Sequence, residues 1–142
     1  MKLFLCHSFL SLICFASFGQ ENDCALGVGN KDTETIKAIF QLSEEQIEKM
    51  DAWIGELELR SGEIEDQMRV LLDSHPQSTE ADLINLANKY SRYKDELFQI
   101  SIEYDQKLLG IFNDKQYAYY VSLCSEAERK PLIPVPEEEE EE

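Results

Sequence analysis

The sequence predicts an all-α fold: a long antiparallel helical hairpin flanked by two shorter helices, paired with a second copy as an intertwined homodimer. Three observations predict it. Two long segments carry apolar residues at alternating spacings of three and four, the signature of a helix with one buried face. A four-residue break, His75 to Ser78 with Pro76 inside it, separates them. No segment has the two-residue alternation bounded by turn formers that marks a strand.

The elements follow in chain order. Lys2 precedes an apolar run from Leu3 to Phe18, and no acid occurs before Glu21. This is the pattern of a secretory signal peptide spanning residues 1–19, with Ser17 and Gly19 as the small residues of its cleavage site. The run is shorter than the ~20 residues a membrane span needs, so no membrane insertion is expected after cleavage. Residues 20–31 (QENDCALGVGNK) hold glycines and turn formers and read as a mobile lead-in to a four-helix domain over residues 32–130. A short helix is expected over 32–40, capped by Asp32 or Thr33, with Ile36, Ile39 and Phe40 on one face. The first long helix starts at a capping box of Ser43 and Gln46, with Leu42 and Ile47 as its hydrophobic staple. Its seam runs Ile47, Met50, Ile54, Leu57, Ile64, Met68 and Leu71. After the break, Thr79 caps the second long helix, whose seam runs Leu83, Leu86, Tyr90, Tyr93, Leu97, Ile100, Tyr104, Leu108 and Ile111. Each helix should be roughly 50 Å long at the α-helical rise, and so short a turn makes them antiparallel. Asn113 starts a last helix reaching about residue 128. Beyond it, residues 131–142 contain three prolines and six consecutive glutamates and read as a disordered tail.

A hairpin this thin leaves apolar residues off its seams: Trp53, Leu59, Leu72, Ile84, Phe98, Ile102 and Leu109. They need a second surface, and dimerisation is the expected supply.

Charge narrows the partners. The chain carries a formal charge of −16, which becomes −17 once Lys2 leaves with the signal and leaves 123 residues, one domain's worth. Its basic residues are scattered rather than grouped. Such a surface repels phosphate backbones and anionic lipid, so nucleic acid is not an expected partner, and cationic or apolar ones are favoured. Removal of the signal also reduces four cysteines to two, Cys24 and Cys124. An oxidising compartment makes an intramolecular bridge between them the leading expectation, with an intermolecular bridge or two free thiols as the alternatives.

One motif occurs twice. Phe112, Asn113, Asp114, Lys115, Gln116 and Tyr117 match Leu42, Ser43, Glu44, Glu45, Gln46 and Ile47 in kind: a staple residue, a capping side chain, two polar residues, a glutamine and an apolar partner. The copies stand 70 residues apart and bracket the hairpin. In this the chain resembles the Spy/CpxP family of periplasmic proteins, whose mark is two Leu-Thr-x-x-Gln motifs on a small helical chain. Here both glutamines are kept while the leucine or threonine is substituted. The likeness covers about residues 33–128. It implies a periplasmic location, a curved antiparallel homodimer, and work as an ATP-independent chaperone, an envelope-stress adaptor or a metal-resistance protein.

No nucleophile elbow, phosphate-binding glycine loop or second histidine is present in the mature chain, so an enzyme is not expected, nor any cofactor. The leading expectation is an exported chaperone or stress adaptor that holds unfolding or partner proteins on a helical cradle. Trp53, Leu59, Tyr93, Phe98 and Tyr104 are its candidate contact residues. The alternative is a metal-responsive or metal-buffering protein, although His75, beside a proline in a turn, reads as a helix end rather than a ligand, and no metal site is assigned.

Overall fold

A computed structural model of the chain describes residues 23–30 and 33–136. The expected signal peptide (1–19) and the hexaglutamate run (137–142) lie outside the described residues. The described residues form four α-helices and no strand: α1 (Thr33–Phe40), α2 (Glu44–Ser74), α3 (Glu80–Gly110) and α4 (Asp114–Glu126). No helix among them is long and apolar enough to cross a membrane.

The helix boundaries fall where side chains can replace missing backbone partners. Ser43, Thr79 and Asn113 each cap a helix, and each is answered by the third residue inside it, Gln46, Asp82 and Gln116, to complete a capping box. Gln41 ends α1 in the left-handed region (φ 49°). The N–H of Leu42 then donates to the carbonyl of Lys37. Helix α1 is pinned to α2 by Lys37, whose Nζ lies 3.0 Å from Glu34 and 3.1 Å from Asp51. These two carboxylates hold the Lys37 ammonium above its ordinary pKa, Glu34 first.

The long helices α2 and α3 pack together as an antiparallel hairpin. At 1.5 Å per residue, 31 residues give each a length of about 46 Å. Met50, Leu57 and Ile64 from α2 meet Leu86, Ile100, Tyr104 and Leu108 from α3 as the buried seam residues. Leu83 is the exception: expected on the α3 seam, it is exposed because the core thins toward the hairpin turn.

The mobile lead-in and the disordered tail are corrected where they are described. Asp105, on α3 and only 1 % exposed, collects three backbone donors from the lead-in. The N–H of Leu26 reaches Oδ2 at 2.7 Å, that of Val28 reaches Oδ1 at 2.8 Å, and that of Gly27 is shared between both oxygens. Such convergence requires a tight turn, which Gly27 supplies at φ 79°. Val28 is thereby seated in the core.

At the other end, residues 131–136 pack onto α3 instead of leaving the domain. Leu132 is buried, the Val135 N–H donates to the Gln106 carbonyl, and Gln106 Nε2 donates to the Ile133 carbonyl. The tail passes so close to Gly110 that a β-carbon there would collide with the Val135 carbonyl oxygen. Ile102 and Leu109, two of the off-seam residues expected to need a second copy, are buried in the same core cluster as Val28 and Leu132. The chain's own terminal segments supply that cover.

Both segments are held at α4. Of the three arrangements open to the cysteines, the intramolecular bridge is present, joining Cys24 to Cys124 across 100 residues with their Cα atoms 5.6 Å apart. Beside it, the Tyr120 hydroxyl donates to the Cys24 carbonyl at 2.7 Å and accepts from the Leu132 N–H at 2.8 Å. The Cys24 N–H donates to the Lys130 carbonyl, completing the tie between the two ends.

Candidate functional site

The twin motifs come together in space. Gln46 and Gln116 exchange reciprocal hydrogen bonds, Gln46 Nε2 donating to Gln116 Oε1 at 2.9 Å and Gln116 Nε2 donating to Gln46 Oε1 at 3.0 Å. Each amide also uses its second N–H: Gln46 donates to the Ile111 carbonyl and Gln116 to the Phe40 carbonyl. Each oxygen accepts in addition from its own cap, the N–H of Ser43 or Asn113. Both side chains are therefore filled to capacity on their donor sides and doubly used on their acceptor sides. This clasp links the end of α1, the start of α2, the end of α3 and the start of α4. Phe40 and Phe112 pack beside it, ring centroids 4.9 Å apart.

The repeat predicted two helix starts; the mutual pairing left no further mark in the sequence, because a glutamine at that position already has a local job as a cap. Gln46→Ala or Gln116→Ala should each cost about 1–3 kcal/mol, since buried carbonyls and an amide lose partners. The double variant should cost clearly less than the sum, as measured by urea unfolding in a double-mutant cycle.

Comparison with protein-family models, with curated proteins and with solved structures finds no match.

The five candidate contact residues part company in the structure. Tyr104 is corrected: only 1 % exposed, its ring is enclosed between the long helices and presents no free surface. Lys107 Nζ lies 4.5 Å from the ring centroid and the Arg60 guanidinium 5.6 Å, while the hydroxyl reaches Glu56 at 3.4 Å. Trp53 and Tyr93 are half-buried and packed against the core. Leu59 and Phe98 stay open to solvent, at 74 % and 46 % exposure.

Between α2 and α3 lies a groove of about 520 Å³. It is bordered by the buried core residues Ile64, Ile100 and Ile102, and by the amides of Gln67, Gln99 and Gln106. Arg60, Glu63, Glu96 and Glu103 supply its charges. Arg60 is already engaged, its NH1 2.8 Å from Glu103 Oε1. That hydrogen bond raises the guanidinium pKa and lowers that of the Glu103 carboxyl, with Lys107 assisting at 3.7 Å. Glu63 and Glu96 have no cationic partner among the described residues. Neither Leu59 nor Phe98 is among the residues that line this groove. Periodicity alone marked Leu59 and Phe98 as surplus apolar residues. The groove depends on the register of the hairpin, which sets Arg60 beside Glu103.

His75 sits at the hairpin turn, where its Nδ1 is 2.8 Å from the Pro76 carbonyl. Among the described residues no group of three or more His, Cys, Asp or Glu side chains is placed to hold a metal ion.

Proposed function

We propose that this chain is an exported, ATP-independent chaperone or envelope-stress adaptor that holds unfolding or partner proteins along its helical hairpin, as a homodimer. The observation that carries the reading is the exposure of Leu59 and Phe98, two large apolar side chains left in water, one on each long helix of a hairpin tied at one end by the glutamine clasp. Exposed apolar side chains of this size each contribute roughly 1.5–3 kcal/mol when a partner covers them. A few such contacts hold a non-native chain reversibly, with no nucleotide needed for release.

The test is suppression of aggregation of a chemically denatured protein at equimolar amounts, run with one acidic and one basic client. The Leu59→Ala/Phe98→Ala variant should lose protection, with client affinity weakened by roughly tenfold or more. Absence of protection by the wild type towards both clients at low salt would sink the proposal.

A further inference from the structure

Resting on that client-binding reading, we propose that the face of α3 and α4 beneath residues 131–136 is a docking site for extended apolar client segments, and that the chain's own tail is its resident competitor. The segment Pro131-Leu132-Ile133-Pro134-Val135-Pro136 lies there without helix or strand. Its hydrogen bonds all use its own main-chain atoms. The Leu132 N–H donates to the Tyr120 hydroxyl at 2.8 Å and the Val135 N–H to the Gln106 carbonyl at 3.2 Å. The Ile133 carbonyl accepts from Gln106 Nε2 at 2.9 Å, and the Leu132 carbonyl from the Tyr117 hydroxyl at 3.5 Å. Of Leu132, Ile133 and Val135, only the first is buried, in the core cluster that holds Ile102 and Leu109. Gly110 leaves the floor open, since a β-carbon there would collide with the Val135 carbonyl oxygen.

Main-chain hydrogen bonds do not read a sequence. The site asks for an extended backbone with free N–H and C=O groups and for one large apolar residue in the Leu132 seat. A segment folded into a helix or strand has already committed those groups. Only a non-native stretch can offer them, and that is the class of client an aggregation-suppressing protein meets. The tail competes from a short tether beside Cys24 and Lys130, at an effective concentration on the order of millimolar. Its grip is one leucine and a few hydrogen bonds. It also runs on into six consecutive glutamates in a chain of formal charge −16, a self-repulsion that opposes docking.

A fluorescein-labelled peptide copying residues 129–136 tests this by fluorescence anisotropy on the full chain, beside a control peptide of equal charge carrying Leu132→Ser and Val135→Ser. In the protein, Leu132→Ser weakens the competitor and leaves the site intact. The peptide should then bind at least tenfold more tightly than to the wild type, and the control peptide should not. Adding Gly110→Ala fills the floor with a residue that suits a helix, and binding should fall back to the wild-type level or below. Hydrogen exchange on the wild type needs no variant. The Leu132 and Val135 amides should exchange at least tenfold faster than the best-protected amides of α2 and α3, and millimolar peptide should speed them further.

Equal binding of the peptide to the wild type and to Leu132→Ser overturns the inference. So does undiminished binding after Gly110→Ala, which would put the peptide elsewhere. Should Leu132→Ser fail to fold, exchange decides: tail amides that the peptide does not speed mark a fixed part of the fold, and the inference falls. Protection of denatured clients by the wild type would in each case leave the chaperone reading standing on Leu59 and Phe98. Without that protection both fall together.

Discussion

Reduction of the Cys24–Cys124 bridge lowers the unfolding free energy by about 4–5 kcal/mol on the chain-entropy estimate for a loop of this length. A domain of this size has only ~5–15 kcal/mol in hand, so the loss is a large fraction of the total. Urea unfolding with and without a phosphine reductant measures it, and Cys24→Ser/Cys124→Ser should reproduce the reduced protein. The effect is expected to be larger than for any single apolar truncation because the bridge restrains the unfolded chain over 100 residues. An unchanged midpoint on reduction would mean that Tyr120 and Asp105 hold the ends without help.

Asp105→Ala should cost about 3–5 kcal/mol, from three backbone N–H groups left without an acceptor at roughly 1–3 kcal/mol each and some relaxation of the lead-in. Hydrogen exchange locates the damage: the amides of Leu26, Gly27 and Val28 lose protection, while those in the middle of α2 keep theirs. Asp105→Asn should be milder, since one oxygen can still accept. The two proteins should also differ in their response to pH. Burial raises the Asp105 carboxyl above its ordinary value, outweighing the three N–H donors that pull it down. A proton held more tightly in the folded state adds stability as pH falls from the folded pKa to the ordinary carboxylate value near 4. The wild type's margin over Asp105→Asn therefore widens on acidification through that window and is constant above it.

These two residues also show where a sequence stops being readable. The hairpin is legible because Met50, Leu57 and Ile64 repeat at the helical period, and because Ser43, Thr79 and Asn113 announce their helices by local chemistry. Caps and seams are short-range features, written within a few residues of where they act. Asp105 is one of 29 acids, and nothing in its neighbours says that it receives the N–H groups of residues 26–28. For the same reason, glycine-rich and proline-rich ends read as loose. Their hydrogen bonds go to Asp105, Gln106 and Tyr120, far along the chain, rather than to near neighbours. Leu59 and Phe98 were visible as apolar surplus off the seams, whereas Tyr104 stood on the α3 seam, the place where the structure buries its ring.

The Tyr120 hydroxyl, shared between Cys24 and Leu132, also sets an order of events. Contacts within α2, α3 and the turn between them join residues close along the chain, and such contacts form early. Those made by Tyr120 to Cys24, by Asp105 to residues 26–28 and by the disulfide span 77 to 100 residues. Their loop-closure cost is met only after the hairpin has brought the ends together. A chain delivered N-terminus first presents Cys24 long before Cys124 exists to receive it. The hairpin must therefore stand, with its terminal segments still unlatched, for as long as the last helix takes to arrive.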